Sequence, residues 1–238
     1  MAPAISVVIP AYREELRLPA TLERVVGYLE ARGCAFEVLV VDDGSPDRTA
    51  DVARAYEARG VTLLRQPENR GKGAAVKRGV LASRGSLVLI SDADLSTPIE
   101  DLERLEREIG EAPVVLGSRA LASSEITCHQ PFYREAMGKT FNWILRRLGL
   151  VRFRDTQCGF KLLAGEEARR LFAELTVERF AYDVELVLLA QAHGLAVREV
   201  GVRWADSAAS RVNPLVDSAR MLWDVLRLAM RRREHRRR

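Results

Sequence analysis

Leu87-Val88-Leu89-Ile90-Ser91-Asp92-Ala93-Asp94-Leu95-Ser96-Thr97-Pro98-Ile99-Glu100 is an apolar run that stops at two carboxylates and turns at once toward a helix. Leu87 to Ile90 is short, wholly apolar and bounded by Gly85-Ser86, the signature of a strand buried on both faces of a mostly parallel sheet. Thr97-Pro98-Ile99-Glu100 reads as a capping box with proline at the first helical position, so Asp92 and Asp94 are expected on a short, stiff loop. Two carboxylates one residue apart at the mouth of an α/β sheet suit a hard divalent cation, Mg²⁺ or Mn²⁺, that also takes oxygens from a phosphorylated ligand. Taken alone, the same acids also read as a turn that compensates a helix dipole.

Working outward, the chain repeats one pattern. Ile5-Ser6-Val7-Val8-Ile9-Pro10-Ala11-Tyr12 is a strand, followed by a helix from about Pro19 to Arg32 that Gly33 stops. Phe36 to Val41 is a second buried strand running into Asp42-Asp43-Gly44-Ser45-Pro46-Asp47, where Ser45 is the expected cap of a helix that Gly60 ends. Val61 to Leu64 is a third strand, and Asn69-Arg70-Gly71-Lys72-Gly73-Ala74 opens the helix before the Asp92 strand. Such alternation predicts a parallel, right-handed α/β sheet with ligands at the carboxyl ends of its strands. Asp42 and Asp43, Lys72 with its glycines, and Asp92 with Asp94 then share one edge. A carboxylate there suits ribose hydroxyls or a base amide edge, and glycine-flanked backbone with Lys72 suits a diphosphate. Each segment alone reads as a turn or a cap; in register they describe a nucleotide-diphosphate site with a metal.

With 238 residues, 47% hydrophobic and 29% charged, the chain makes one ordinary globular domain with an appended segment, divided here as 1–213 and 214–238. No apolar run reaches the length of a membrane span, and Met1-Ala2-Pro3-Ala4 lacks a signal-peptide pattern, so the expected compartment is the cytosol. Cys34, Cys128 and Cys158 have no zinc spacing, and His129 and His193 stand alone. From Arg227 to Arg238, seven arginines face one glutamate, which leaves the preceding residues at −2 within a net charge of +4. The tail suits an anionic surface; without aromatic interleaving or an upstream motif, nucleic acid ranks last as a partner.

Val8-Ile9-Pro10-Ala11-Tyr12, Val41-Asp42-Asp43-Gly44-Ser45, Asn69-Arg70-Gly71-Lys72-Gly73 and Asp92-Ala93-Asp94 resemble the successive motifs of inverting family 2 glycosyltransferases of the GT-A fold. Gly117-Ser118-Arg119, Arg154-Asp155-Thr156-Gln157-Cys158-Gly159-Phe160-Lys161 and Tyr182-Asp183-Val184-Glu185-Leu186 sharpen the likeness toward the dolichyl-phosphate β-glucosyltransferases and their bacterial polyprenyl-phosphate relatives. The resemblance runs from about Ile5 to Leu228. It implies a metal-dependent enzyme with a nucleotide-sugar donor, usually UDP-glucose, and a polyisoprenyl phosphate acceptor. Donor contacts fall to Pro10, Tyr12, Glu14, Asp42, Asp43, Lys72 and Asp92, with Asp92 and Asp94 on the metal. Arg134, Lys139, Asp183 and Glu185 fall on the acceptor side. Two departures stand out: Ser96 replaces the glutamine usual in dolichyl-phosphate mannose synthases, which favours the glucosyl branch, and the carboxyl-terminal membrane spans of many relatives are missing from the sequence.

For such chemistry, Asp94, Arg119 and Asp155 are the candidate catalytic residues. A metal on Asp92 and Asp94 neutralises the departing diphosphate, and Arg119 and Lys72 add fixed positive charge there or at the acceptor phosphate. An acceptor phosphate is already ionised near neutral pH, so Asp155 is a candidate base only for a hydroxyl acceptor; otherwise it orients a basic residue or the donor, or pairs with neighbouring Arg154 or Arg152. Asp183 and Glu185 read equally well as helix-start acids. Pro131 to Leu148 and Pro214 to Met230 are amphipathic and basic, which suits the cytosolic face of an anionic membrane or, equally in pattern, packing on the sheet or a dimer interface. The leading reading is hexose transfer from UDP-glucose to a polyprenyl phosphate. The alternatives are a family 2 transferase acting on a soluble glycan or small-molecule hydroxyl, and a non-catalytic nucleotide-sugar-binding protein at a membrane.

Overall fold

The computed structural model describes residues 2–206, 220, 221 and 223–230, apart from the side chain of Arg134. Among these residues a seven-stranded sheet has the order β3-β2-β1-β4-β7-β5-β8, where β1 is Ile5–Ala11, β2 Phe36–Asp42, β3 Val61–Arg65, β4 Leu87–Ile90, β5 Val114–Ser118, β7 Lys161–Ala164 and β8 Val197–Gly201. β1 to β4 pair in parallel, as the alternating pattern predicts. β7 runs antiparallel between β4 and β5, placing Lys161 beside Ile90 and Leu116. Outside this sheet, β6 (Glu125–Cys128) pairs in parallel with β9 (Arg203–Ala205).

The strands are apolar on both faces because both are covered. Val8, Val41, Val88, Ile90 and Leu116 pack with α3 (Lys72–Ala82), α6 (Gly165–Glu174) and α7 (Tyr182–Ala192). The alternate residues Val7, Ile9, Val40, Leu89 and Val115 pack with α1 (Leu18–Ala31) and α4 (Leu102–Ile109). Period-2 alternation therefore sorts side chains between two cores without producing a polar face. Register aligns Asp42 with Ala11 and Ile90 with Val8, which brings three loops to one edge.

Two local expectations give way to tertiary contacts. Neither Ser45 nor Thr97 caps a helix: α2 is confined to Thr49–Arg54 with no side-chain cap, and a 3₁₀ turn, Ile99–Asp101, precedes α4. Ser45 Oγ instead accepts the Arg13 N–H at 2.9 Å, tying the loop after β1 to the loop after β2. Asp47 Oδ1 accepts the Thr49 N–H at 3.2 Å in its place.

α5 (Phe132–Arg147) buries Leu145 but leaves Phe132 86% and Trp143 57% exposed. Helical residues 220–221 and 223–230 bury Val225 and Leu228, while Trp223, Leu226 and Met230 face solvent. The expected helix start at Pro214 and the arginines beyond Met230 lie outside the described residues. None of the described helices is long and apolar enough to cross a membrane.

Candidate active site

At the carboxyl ends of β1, β2 and β4 lies a cavity of about 540 Å³. Pro10, Tyr12, Glu14, Asp43, Lys72, Asp92, Asp94, Arg119 and Asp183 all line it, so most of the predicted site residues converge. Asp42, Lys139, Asp155 and Glu185 do not, and the side chain of Arg134 lies outside the described residues.

The Asp92 carboxylate rests on the backbone of Gly159, where a β-carbon would fall 2.0 Å from Oδ2. Its Oδ1 is 2.5 Å from Lys72 Nζ. Burial pushes the Asp92 carboxyl up, but Lys72, Lys161 and Arg119 more than offset this and hold it below the usual range. Asp94 Oδ1 accepts the Ser96 N–H at 3.0 Å, and Oδ2 lies 3.7 Å from Arg17. Leu95 closes this turn at φ +47°, a left-handed conformation unusual for a branched side chain, with its N–H donated to Asp92 O at 3.2 Å.

Lys72 is placed from two sides. Asp43 accepts the N–H groups of Arg70 (2.9 Å) and Gly71 (2.8 Å) and the Gln66 amide (2.7 Å), so this buried acid fastens the glycine loop to the end of β2. From the other side, Glu178 O accepts the Ala74 N–H at 2.9 Å. The glycines permit this approach: a β-carbon on Gly73 would lie 2.5 Å from Val177 O. The loop is thus covered by a strap of residues 176–179, and Lys72 is its chemical contribution to the cavity.

Glu185 holds that strap. It accepts the N–H groups of Thr176 (2.9 Å) and Val177 (2.7 Å) and the Thr176 hydroxyl (2.7 Å). Asp183 pairs at 2.6 Å with Lys161, which has no exposed side-chain area. Burial pushes the Asp183 carboxyl up despite Lys161 and Lys72. Asp42 is equally committed: Oδ1 accepts the Ser45 N–H at 3.0 Å and Oδ2 is 3.2 Å from Arg65. Lys139 sits on the surface of α5, paired with Glu135 at 2.6 Å.

Asp155, only 3% exposed, forms a fork with Arg119, accepting Nε at 2.7 Å, Nη2 at 2.9 Å and the Arg119 N–H at 3.1 Å. Its partner is therefore Arg119 rather than Arg152 or Arg154. Burial would raise the Asp155 carboxyl; Arg119 and the Gln157 N–H more than offset this and hold it below the usual range. The Arg119 guanidinium also stacks 5.5 Å from the Trp204 ring.

Several lining residues escape motif reading. Arg17 lies near Asp94 while bound to Glu14, with Nε to Oε2 at 2.6 Å. Gln157 Nε2 is buried without a hydrogen-bond partner among the described residues, and Arg179, Phe180, Met137, Phe141 and Met221 also line the cavity. Gln157 falls within a quoted motif, whereas the others are scattered single residues.

A mostly parallel α/β sheet with an acid pair, a lysine and an arginine at this edge is the arrangement of a glycosyltransferase of the GT-A fold. The chain belongs to glycosyl transferase family 2, whose profile matches residues 6–161. Within it, the chain is 39% identical to mouse dolichyl-phosphate β-glucosyltransferase over 95% of this chain and 75% of that protein. Identity to the Dictyostelium discoideum enzyme of the same name is 37%, over 95% and 74%. Glucosyl-3-phosphoglycerate synthase from Mycobacterium tuberculosis, solved with UDP, shares the fold at a TM-score of 0.69 and 20% identity, over 95% of this chain and 80% of that one.

Proposed function

We propose that the chain transfers glucose, with inversion, from UDP-glucose to a polyisoprenyl phosphate. The observation that carries this reading is one cavity lined both by the Asp92–Asp94 pair, Lys72 and Arg119 and by Met137, Phe141, Phe180 and Met221. A diphosphate suits the charged side chains and an isoprenoid the apolar ones. The relatives named above carry this activity in their names.

Asp92 and Asp94 fit Mg²⁺ or Mn²⁺: two carboxylates on one rigid turn leave other coordination positions to ligand oxygens and water. The metal, when bound, supplies charge neutralisation at the departing diphosphate. Arg119 adds a fixed cation at the same cavity, and Asp155 fixes its geometry without taking a proton. Gln157 Nε2 is a ready donor to a sugar hydroxyl. The acceptor phosphate, with a second pKa near about 6, attacks the anomeric carbon already ionised, so no carboxylate base is required. UDP release from UDP-glucose with Mn²⁺ is expected to rise at least about tenfold when a short-chain polyprenyl phosphate is added. Equal release with and without the lipid phosphate would overturn this acceptor and favour a soluble hydroxyl.

The enzyme works as a peripheral protein on the cytosolic face of a membrane. Phe132, Trp143, Trp223 and Met230 are exposed on two helices whose other faces are buried in the core, and α5 ends in Arg146 and Arg147. Aromatic and basic side chains together suit an anionic interface. Phe132→Glu combined with Trp143→Glu is expected to cut sedimentation with phosphatidylserine vesicles at least about tenfold, the equivalent of one buried aromatic side chain. A change in oligomeric mass with unchanged vesicle binding would assign this face to self-association instead.

A further inference from the structure

Four cationic side chains line the cavity, and three already face carboxylates. Arg17 is bound to Glu14, Lys72 is 2.5 Å from Asp92, and Arg119 is 2.7 Å from Asp155. The fourth, Arg179, has no carboxylate within 4 Å among the described residues and interacts electrostatically only at longer range with Asp224. Its backbone is nevertheless fixed. Residues 176–178 of the strap are held by Glu185 and by Ala74, and Glu178 forms an ion pair with Arg70.

Arg179 lines the cavity next to Phe180, its neighbour in sequence, together with Met137, Phe141 and Met221. On its other side it lines a smaller cavity of about 270 Å³ with Asp224, Arg227 and Leu228 of the last helical segment, which bears the exposed Trp223. A cation held on a rigid backbone, exposed, without a carboxylate within 4 Å among the described residues, and lining a cavity that has both charged and apolar side chains is suited to an amphiphile with one anionic head.

We propose that Arg179 is a contact for the acceptor phosphate, receiving the anionic head of the lipid while its chain runs along Met137, Phe141 and Met221. This rests on the acceptor reading above. The committed carboxylates support the assignment: Asp183 and Glu185 are taken up by Lys161 and the strap, so the second acidic motif builds the platform that carries Arg179. Arg179 is thus a substrate contact, and Glu185 a positioning residue for it.

The test compares wild type, Arg179→Ala and Arg179→Lys in steady-state transfer from UDP-glucose, varying a short-chain polyprenyl phosphate, with UDP-glucose binding measured separately by calorimetry. Loss of a charge-assisted hydrogen bond predicts that Arg179→Ala raises the acceptor KM about 10- to 100-fold. Arg179→Lys, which keeps charge but loses the planar fork, falls between. Affinity for UDP-glucose stays within about twofold and the unfolding midpoint does not move, because the side chain is exposed and makes no close ion pair among the described residues. An acceptor KM equal to wild type, or a loss confined to UDP-glucose affinity, would overturn the proposal. Inorganic phosphate should compete with the lipid in wild type and more weakly in Arg179→Ala. Competition unchanged by the substitution places the phosphate elsewhere and counts against Arg179. Wild type that fails to use the lipid phosphate at all overturns the acceptor reading first, and the inference built on it.

Discussion

Asp94→Ala is expected to lower glucosyl transfer at least about a thousandfold while leaving the fold intact, because the proposed metal role routes several kcal/mol of leaving-group stabilisation through this carboxylate. Its structural contacts are few: one hydrogen bond from the Ser96 N–H and a 3.7 Å approach to Arg17. Losing them costs about 1 kcal/mol, a small shift in unfolding midpoint. Asp92 is not equivalent. It faces Lys72 at 2.5 Å and lies on Gly159, so Asp92→Ala also strands a lysine and opens a gap beneath it. The cleaner variant is therefore Asp94→Ala, read by transfer of labelled glucose and by Mn²⁺ titration in the presence of UDP. Both signals should fall together. Activity above a tenth of wild type would remove Asp94 from the metal site.

The parts of this site legible in the sequence are those carried by local pattern. Four apolar runs ending in Pro10, Val41, Leu64 and Ile90 predict parallel strands, and sheet register then brings Asp43, Lys72 and Asp92 to one edge without further information. What stayed hidden depends on partners distant in sequence. Lys161 opens a strand, Lys-Leu-Leu-Ala, whose antiparallel insertion between β4 and β5 no periodicity announces, and only that insertion buries it against Asp183. Ser45 looks like a helix cap to any local rule, yet its hydroxyl takes the Arg13 N–H across two loops. The glycines beside Lys72 read as a phosphate cradle, and what no local rule shows is that their missing side chains also admit the 176–179 strap. Asp155 and Arg119 are 36 positions apart, so sequence proximity pointed to the wrong arginines.

That last pair separates chemistry from support. Arg119→Gln is expected to reduce kcat at least about a hundredfold, the scale of losing one fixed donor to developing negative charge. It should also destabilise the protein by about 3 kcal/mol, because Asp155 is left charged and 3% exposed without its counter-ion. The lower end of the range for buried pairs applies, since the Arg119 side chain keeps 28% of its exposure. The sign of the pH dependence follows. The Asp155 carboxyl is held below its unfolded value of about 3.9, so its stabilisation is present above that pH and is lost as pH falls through the depressed folded value. In Arg119→Gln, burial no longer meets an opposing cation and the carboxyl moves up. The stability difference between wild type and variant should therefore be largest near neutral pH and shrink below about pH 4. Arg119→Gln with Asp155→Asn removes the stranded charge and should regain most of the unfolding midpoint without regaining activity. Asp155→Asn alone leaves Arg119 in place with a weaker fork, for an expected loss of about tenfold and no shift in the acid limb of the rate profile. A loss as large as that of Arg119→Gln, with the acid limb abolished, would make Asp155 a proton acceptor and return the acceptor to the hydroxyl class.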